Sequence, residues 1–222
     1  MVYKATIMTK TIKIDFVSDV SCPWCIVGLK SLEQALAKAS DVVTATIAFQ
    51  PFELNPEMAP EGEDIGEHIT KKYGSTPEQR KQSQEMLRRR GEAVDFRFDM
   101  GARDRIWNTF DAHRLLHWAG EEGLQSELKH ALFEAYFTNG ESPASHDVLL
   151  RVATGVGLDP LRAADVLASN EFAGEVREKE EFYRRAGITS VPAIIINERH
   201  LISGGQTPEV FESALRRIAA ES

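Results

Sequence analysis

Apolar and polar residues alternate along Thr11-Ile12-Lys13-Ile14-Asp15-Phe16, with Ile12, Ile14 and Phe16 on one side. A period of two predicts a strand with one buried face. From Ile26 the spacing changes. Ile26, Leu29, Leu32 and Leu36 recur every three or four residues, the stripe of an amphipathic helix. Alternation returns at Val43-Thr44-Ala45-Thr46-Ile47-Ala48-Phe49, and the prolines at Pro51 and Pro56 stop it. Because a helix joins these two strands, they should be parallel neighbours with a right-handed crossover.

A loop rich in Pro, Gly and Glu follows at Asn55 to Gly66. Beyond it the pattern is helical to about Asn170, with helices predicted over 64–73, 77–91, 104–119, 124–138, 145–156 and 160–168. Glycines, Asn139-Gly140 and Pro160 separate them. Thr76-Pro77-Glu78 and Asp159-Pro160 read as helix starts. The last segment is mixed again. Phe172, Val176, Tyr183 and Ala186 mark one face of a charged helix ending at Gly187. Strands are predicted at Ala193–Ile196 and His200–Ser203, and Thr207 is expected to cap a final helix with the stripe Phe211, Ala214, Leu215, Ile218. The order is strand–helix–strand, a block of helices, then helix–strand–strand–helix.

Both cysteines of the chain fall in Ser21-Cys22-Pro23-Trp24-Cys25, where the first strand gives way to the first helix. Cys-x-x-Cys at such a turn is the place for a redox dithiol. The unpaired N–H groups and positive dipole end of the helix favour a thiolate there. Pro23 suits the first turn, where its missing N–H is no loss. Zinc would need four ligands, and there is no second cysteine pair; His113 and His117 are the closest-spaced histidines. A structural disulfide closing so short a loop would restrict the unfolded chain little.

Composition narrows the partners. The net charge is −8 and 42% of residues are apolar, with an isoelectric point near 5.3. That excludes the clustered positive charge on which nucleic-acid affinity rests. The run Arg88-Arg89-Arg90 reads as a solvated helix face. Residues 1–10 lack the apolar core of a signal peptide, and Met8 is a candidate start. No run is long enough to span a membrane. The expected compartment is the cytoplasm, where structural disulfides are rare.

Four stretches together carry a resemblance: Phe16 to Cys25; Phe52-Glu53-Leu54-Asn55-Pro56; Asn108-Thr109-Phe110-Asp111-Ala112-His113-Arg114-Leu115; and Ser190-Val191-Pro192 with Gly204-Gly205-Gln206-Thr207-Pro208. The sequence resembles the DsbA-like thioredoxin superfamily, specifically its FrnE-type branch. The resemblance implies an α/β thioredoxin fold with a large all-helical insertion between the second strand and the following helix. On that reading residues 11–62 and 170–222 form a discontinuous thioredoxin-like domain, and 63–169 an inserted helical domain. It also implies thiol–disulfide exchange, as oxidoreductase or isomerase, and a cis Val191–Pro192 bond facing the dithiol. Val191 would then pair with an extended substrate. Expected partners are protein or small-molecule thiols and disulfides, glutathione among them, with no cofactor and no metal. The superfamily also holds glutathione-dependent kappa-type transferases and isomerases, which typically carry Ser where this chain has Cys22. A redox-sensing binding protein is a further alternative.

Roles follow from position. Cys22, nearer the helix start, is the expected nucleophile, and Cys25, one turn in, the resolving thiol. Trp24 stands where the family's periplasmic oxidants carry His, so a less oxidising pair is expected. Asp15 and Asp19 flank the approach, and Asp15 is a candidate proton acceptor for Cys25. Trp107, Phe110, His113 and His117 fall on one side of the predicted helix 104–119 and are candidates to line a cleft. The competing reading makes that side a second packing face.

Overall fold

The structure is a computed structural model and describes residues 9–221. The readings of residues 1–8, including Met8 as a start, lie outside the described residues. The chain runs β1 (Lys10–Ser18), α1 (Pro23–Lys38) and β2 (Val43–Pro51), then the insertion. It closes with α8 (Ala173–Arg185), β5 (Ala193–Ile196), β6 (His200–Ser203) and α9 (Pro208–Ala220). The sheet order is β2-β1-β5-β6. β1 lies parallel to β2, with Phe16 beside Phe49, and antiparallel to β5, with Phe16 beside Ile194.

The alternation seen in β1 decides what each face of the sheet buries. Ile12, Ile14 and Phe16 pack with Leu29, Leu32 of α1 and Phe211 of α9. Val17 packs on the opposite side with Phe52, Tyr183 and Ile188. α8 therefore covers that second face. Its buried stripe is Val176, Glu180 and Tyr183, while Ala186 is exposed and ends the helix. The apolar pattern of the sequence could not single out Glu180, whose carboxylate is buried because it is paired.

The insertion holds α2 (Ile65–Tyr73), α3 (Pro77–Glu92), α4 (Phe110–Glu121), α5 (Gln125–Phe137), α6 (His146–Gly155) and α7 (Pro160–Ala168). Local signals set several of their starts. Thr76 and Gln79 exchange hydrogen bonds in a capping box, with Pro77 in the first turn. Asp159 accepts from the N–H of Arg162, with Pro160 following. Thr207 does stand at the N-cap of α9, but its side chain accepts no capping bond from the backbone. α5 ties the insertion to the rest. Phe133, Tyr136 and Phe137 join the core that holds Phe16, whereas Leu128 and Leu132 join a second core with Leu115 and Leu149.

One predicted helix differs. Residues 104–119 are not a single helix: Arg105–Ile106 form β4, paired antiparallel with β3 (Glu63–Asp64), and α4 begins only at Phe110. Asn108 Oδ1 accepts from the N–H of Phe110 at 2.9 Å and so starts the helix there. The side-chain amide of the same residue donates to Glu53 Oε1 at 3.2 Å. The helical spacing from Ile106 onward was thus coincidental over its first turn.

Buried charge pins these layers. Glu53 and Glu180, with side chains fully out of solvent, share the guanidinium of Arg177. Glu180 Oε1 also accepts from the N–H of Glu53 at 3.1 Å. Burial pushes the carboxyl of Glu53 above its ordinary range, and the neighbouring Glu180 pushes it further. Arg114 on α4 donates to the carbonyls of Glu171 (2.8 Å), Ser169 (2.6 Å) and Val166 and to Asp111 Oδ1 (2.8 Å). It closes the α7–α8 connection on α4. Arg114→Ala should therefore lower stability by about 2–4 kcal/mol, because three carbonyls and a carboxylate lose their donor. Lys should rescue little, lacking the planar fork. Urea unfolding of the two variants measures this.

Candidate active site

Cys22 occupies the N-cap of α1 in an extended conformation (φ −90°, ψ 113°). Its N–H donates to the carbonyl of Asp19 at 3.2 Å, and its own carbonyl accepts from the N–H of Cys25 at 3.0 Å. The motif thus closes the first turn on itself, with Pro23 where no N–H is required. Cys22 is 4% exposed and Cys25 0%. The Val191–Pro192 peptide bond is cis. Cys22 Sγ donates to the carbonyl of Val191 at 3.6 Å, across 169 residues of sequence.

Small residues allow this approach. A Cβ on Gly28 would stand 3.1 Å from Pro192 Cγ and 3.2 Å from Gly205 Cα. A Cβ on Gly205 would stand 2.8 Å from the carbonyl oxygen of Trp24. The Pro192 loop, α1 and the turn after β6 are therefore in backbone contact. Arg90 closes the group from the insertion: it donates to the carbonyl of Gly205 at 2.8 Å and lies 5.9 Å over the Trp24 ring. In the run Arg88-Arg89-Arg90, Arg88 and Arg89 pair with Glu85 on the helix surface, as a solvated face should. Arg90 does not, and places a positive charge beside the neutral indole.

The charges beneath the dithiol come from residues other than Asp15. Asp15 lies on the opposite sheet face from α1, as the alternation of β1 requires. Its Oδ1 accepts from Gln50 Nε2 at 2.7 Å, and it lies beside Tyr183, whose phenol is pushed up by burial and then by Asp15. It is not the group next to Cys25. Asp19 is instead buried at the motif. Its carboxylate accepts from the N–H groups of Ser21 (3.0 Å) and Leu54 (2.7 Å) and lies 3.7 Å from His113 Nε2. Burial alone would raise its carboxyl, but His113 and the two N–H groups hold it below the ordinary range.

The second group is Lys129 of α5, 0% exposed. Its Nζ lies 4.9 Å from the Phe133 ring and 5.9 Å from the Phe49 ring, in the core that also holds Cys25. Burial lowers the ammonium to about 8, against the pull of Cys25, Asp19 and Cys22. Burial, and then the neighbouring Cys22, push the Cys25 thiol well up, while Lys129 opposes both. Sequence reasoning missed Lys129. Its signal was position: it falls on the apolar face of α5 with Leu132, Phe133 and Tyr136.

The four cleft candidates do not share one face. Trp107 precedes α4 and packs against the core around the cysteines. It sits over Gly62 (φ +67°), where an added Cβ would stand 2.8 Å from the indole and find no room. Phe110 lies under the Arg177 guanidinium at 3.8 Å. His113 faces Asp19, and the His117 ring lies 5.1 Å from that of Phe172.

A dithiol at a helix N-cap, met by a cis-proline loop from the neighbouring strand, defines a thioredoxin-like thiol–disulfide protein with a helical insertion. The chain belongs to the family of the DSBA-like thioredoxin domain, which matches residues 13–216, and so to the thiol–disulfide oxidoreductases. It is 28% identical over 206 residues to YwbO of Bacillus subtilis (strain 168), covering 92% of this chain and 96% of that protein. The structure of the probable DsbA oxidoreductase SCO1869 from Streptomyces coelicolor superposes with a TM-score of 0.88 at 33% identity, covering 95% of this chain and 91% of that one. The cytosolic disulfide reductase DsbM from Pseudomonas aeruginosa with GSH shares the fold at a TM-score of 0.64 and 16% identity, covering 94% and 99% of the two chains. Among the described residues no helix is long and apolar enough to cross a membrane.

The lysine makes a prediction about stability. Its folded value of about 8 lies below the ordinary 10.5, so the folded state releases a proton that the unfolded state holds. Stability from this residue is complete above about 10.5 and lost as pH falls to about 8. Lys129→Met, of similar length and apolar, should therefore stabilise the chain by about 2–3 kcal/mol at pH 7. The gain should close as pH rises from about 8 to 10.5. Thermal or urea unfolding across that range reads it.

Proposed function

We propose that this chain exchanges thiols and disulfides through Cys22 as the nucleophile and Cys25 as the resolving thiol, acting on protein or small-molecule disulfides. One observation carries the assignment: Cys22 stands at the helix N-cap with its sulfur turned to Val191, while Cys25 is sealed one turn below with its thiol pushed up by burial. A substrate disulfide therefore meets Cys22 first. Thiolate attack gives a mixed disulfide, and Cys25 then displaces the substrate thiol and closes the Cys22–Cys25 bond. Val191 is the docking edge for an extended substrate, because its carbonyl already faces the reacting sulfur.

Glutathione fits as a small-molecule partner, since a protein of this fold has been crystallised with it. The cytoplasm fits the compartment, because the only cysteine pair needs a reducing partner to cycle. Disulfide isomerisation would use the same attack without the closing step. Retention of both cysteines favours dithiol chemistry over the transferase and isomerase reading, and repeated turnover with a reductant would separate it from a sensor that switches once.

Cys25→Ser should trap a mixed disulfide on Cys22, because the resolving thiol is gone. Non-reducing gels and peptide mapping after reaction with oxidised glutathione would show one adduct on Cys22. Adducts forming equally well on Cys25 in a Cys22→Ser variant would reverse the roles.

A further inference from the structure

Six buried side-chain polar atoms have no hydrogen-bond partner among the described residues, and four of them belong to residues lining one cavity: Gln50 Oε1, His113 Nε2, His117 Nδ1 and Lys129 Nζ. Unsatisfied buried polar atoms are uncommon, and each costs free energy unless something pairs with it. Chance does not gather four around one space. The cavity measures about 10 Å³, near the lower limit for a single water, which needs two to four polar partners. Phe49, Leu116 and Pro51 form its apolar wall. Lys129 closes the inner end, against the core of Cys25; His117 and Lys179, both partly exposed, stand at the outer end.

We propose that this cavity seats a water, and that Lys129, the water and His117 form the route by which the proton of Cys25 leaves the core when that thiol resolves a mixed disulfide. The proposal rests on the dithiol reading above. A sealed thiol cannot hand its proton to bulk solvent, yet only the thiolate attacks. In the step, the neutral amine of Lys129 takes the proton of Cys25. The Cys25 thiolate attacks Cys22 Sγ, the Cys22–substrate S–S bond breaks, and the Cys22–Cys25 bond forms. The substrate leaves as a thiolate with the electron pair and is protonated by solvent. The two cysteines are oxidised by two electrons and the substrate disulfide is reduced. The Lys129 ammonium then gives its proton to the water and through His117 to solvent.

Burial suits both groups to the task. An ammonium lowered to about 8 is neutral in a useful fraction near pH 7. His117 is lowered by burial and then by Lys179, and so stays a neutral relay. The ionisable groups facing Lys129 are Cys22, Cys25 and Asp19 from the motif, His113 and His117 from α4, and Lys179 from α8. Cys25 is pushed well above 9 and His117 below 6.5. An inflection near 8 therefore belongs to the step in which the Lys129–Cys25 pair loses its first proton.

A chromogenic aryl disulfide separates the two steps in stopped flow. One coloured thiolate is released when the Cys22 thiolate attacks the reagent's disulfide, and a second when Cys25 closes the bond. In the native chain the second release should rise with pH and level off above about 8. In Lys129→Met it should slow about tenfold or more at pH 7 and lose that inflection, while the first release changes little. His117→Phe should slow the second release without moving the inflection. Lys129→Gln serves if the Met variant folds poorly. A lysine variant that keeps the native second-phase rate and pH profile overturns the relay and leaves the dithiol reading standing. A native chain that releases only one equivalent overturns both.

Discussion

Everything at the site depends on how closely the first turn of α1 lies against the Pro192 loop and the turn after β6. Gly28, Pro192 and Gly205 touch with no room for another methyl group. That contact aims the carbonyl of Val191 at Cys22 Sγ and leaves Cys25 one turn deeper, without solvent. Close packing of this kind is unforgiving of a few tenths of an ångström. It explains why two glycines far apart in the chain accompany the dithiol, and why the insertion reaches in with Arg90 to hold the carbonyl of Gly205.

Burial of the motif creates the second constraint. A thiol taken out of water resists ionisation, and nearby charge must compensate. The compensating charge is Lys129, since an ionised carboxylate such as Asp19 favours no thiolate. Asp19, held ionised by Ser21, Leu54 and His113, organises the loop that leads into α1. Lys129 enters from the insertion, which is therefore more than a cover over the thioredoxin-like part. α5 brings an amine and three aromatic rings, Phe133, Tyr136 and Phe137, to the core that holds Phe16 and Cys25. Electrostatics and packing are supplied by the same helix.

The fold was legible because its signals were local and periodic. Alternation in β1 and β2, the stripe of α1, and Pro or Thr at helix starts each reflect one element's own geometry. The dithiol was legible because two cysteines at that spacing have few other uses. What failed involved partners distant in sequence. Ile106 has helical spacing to Phe110 and His113, yet it pairs with Glu63 in a ladder, and Asn108 starts the helix later. Asp15 is near Cys22 in sequence, but strand alternation sends it to the far face of the sheet. Lys129 looks like any helix lysine until the packing of α5 shows that its face has no solvent. The motif residues Glu53 and Phe110 resemble site residues and are bound into the Arg177 ion cluster instead.

The central claim is an asymmetry between two thiols three residues apart: one presented at the helix N-cap, one sealed and dependent on buried charge. Alkylation of the reduced, folded chain with iodoacetamide, quenched over time and read by peptide mass spectrometry, measures it directly. The account predicts modification of Cys22 while Cys25 stays unmodified until the chain is unfolded. Equal rates at the two sulfurs, or Cys25 reacting first, would contradict it.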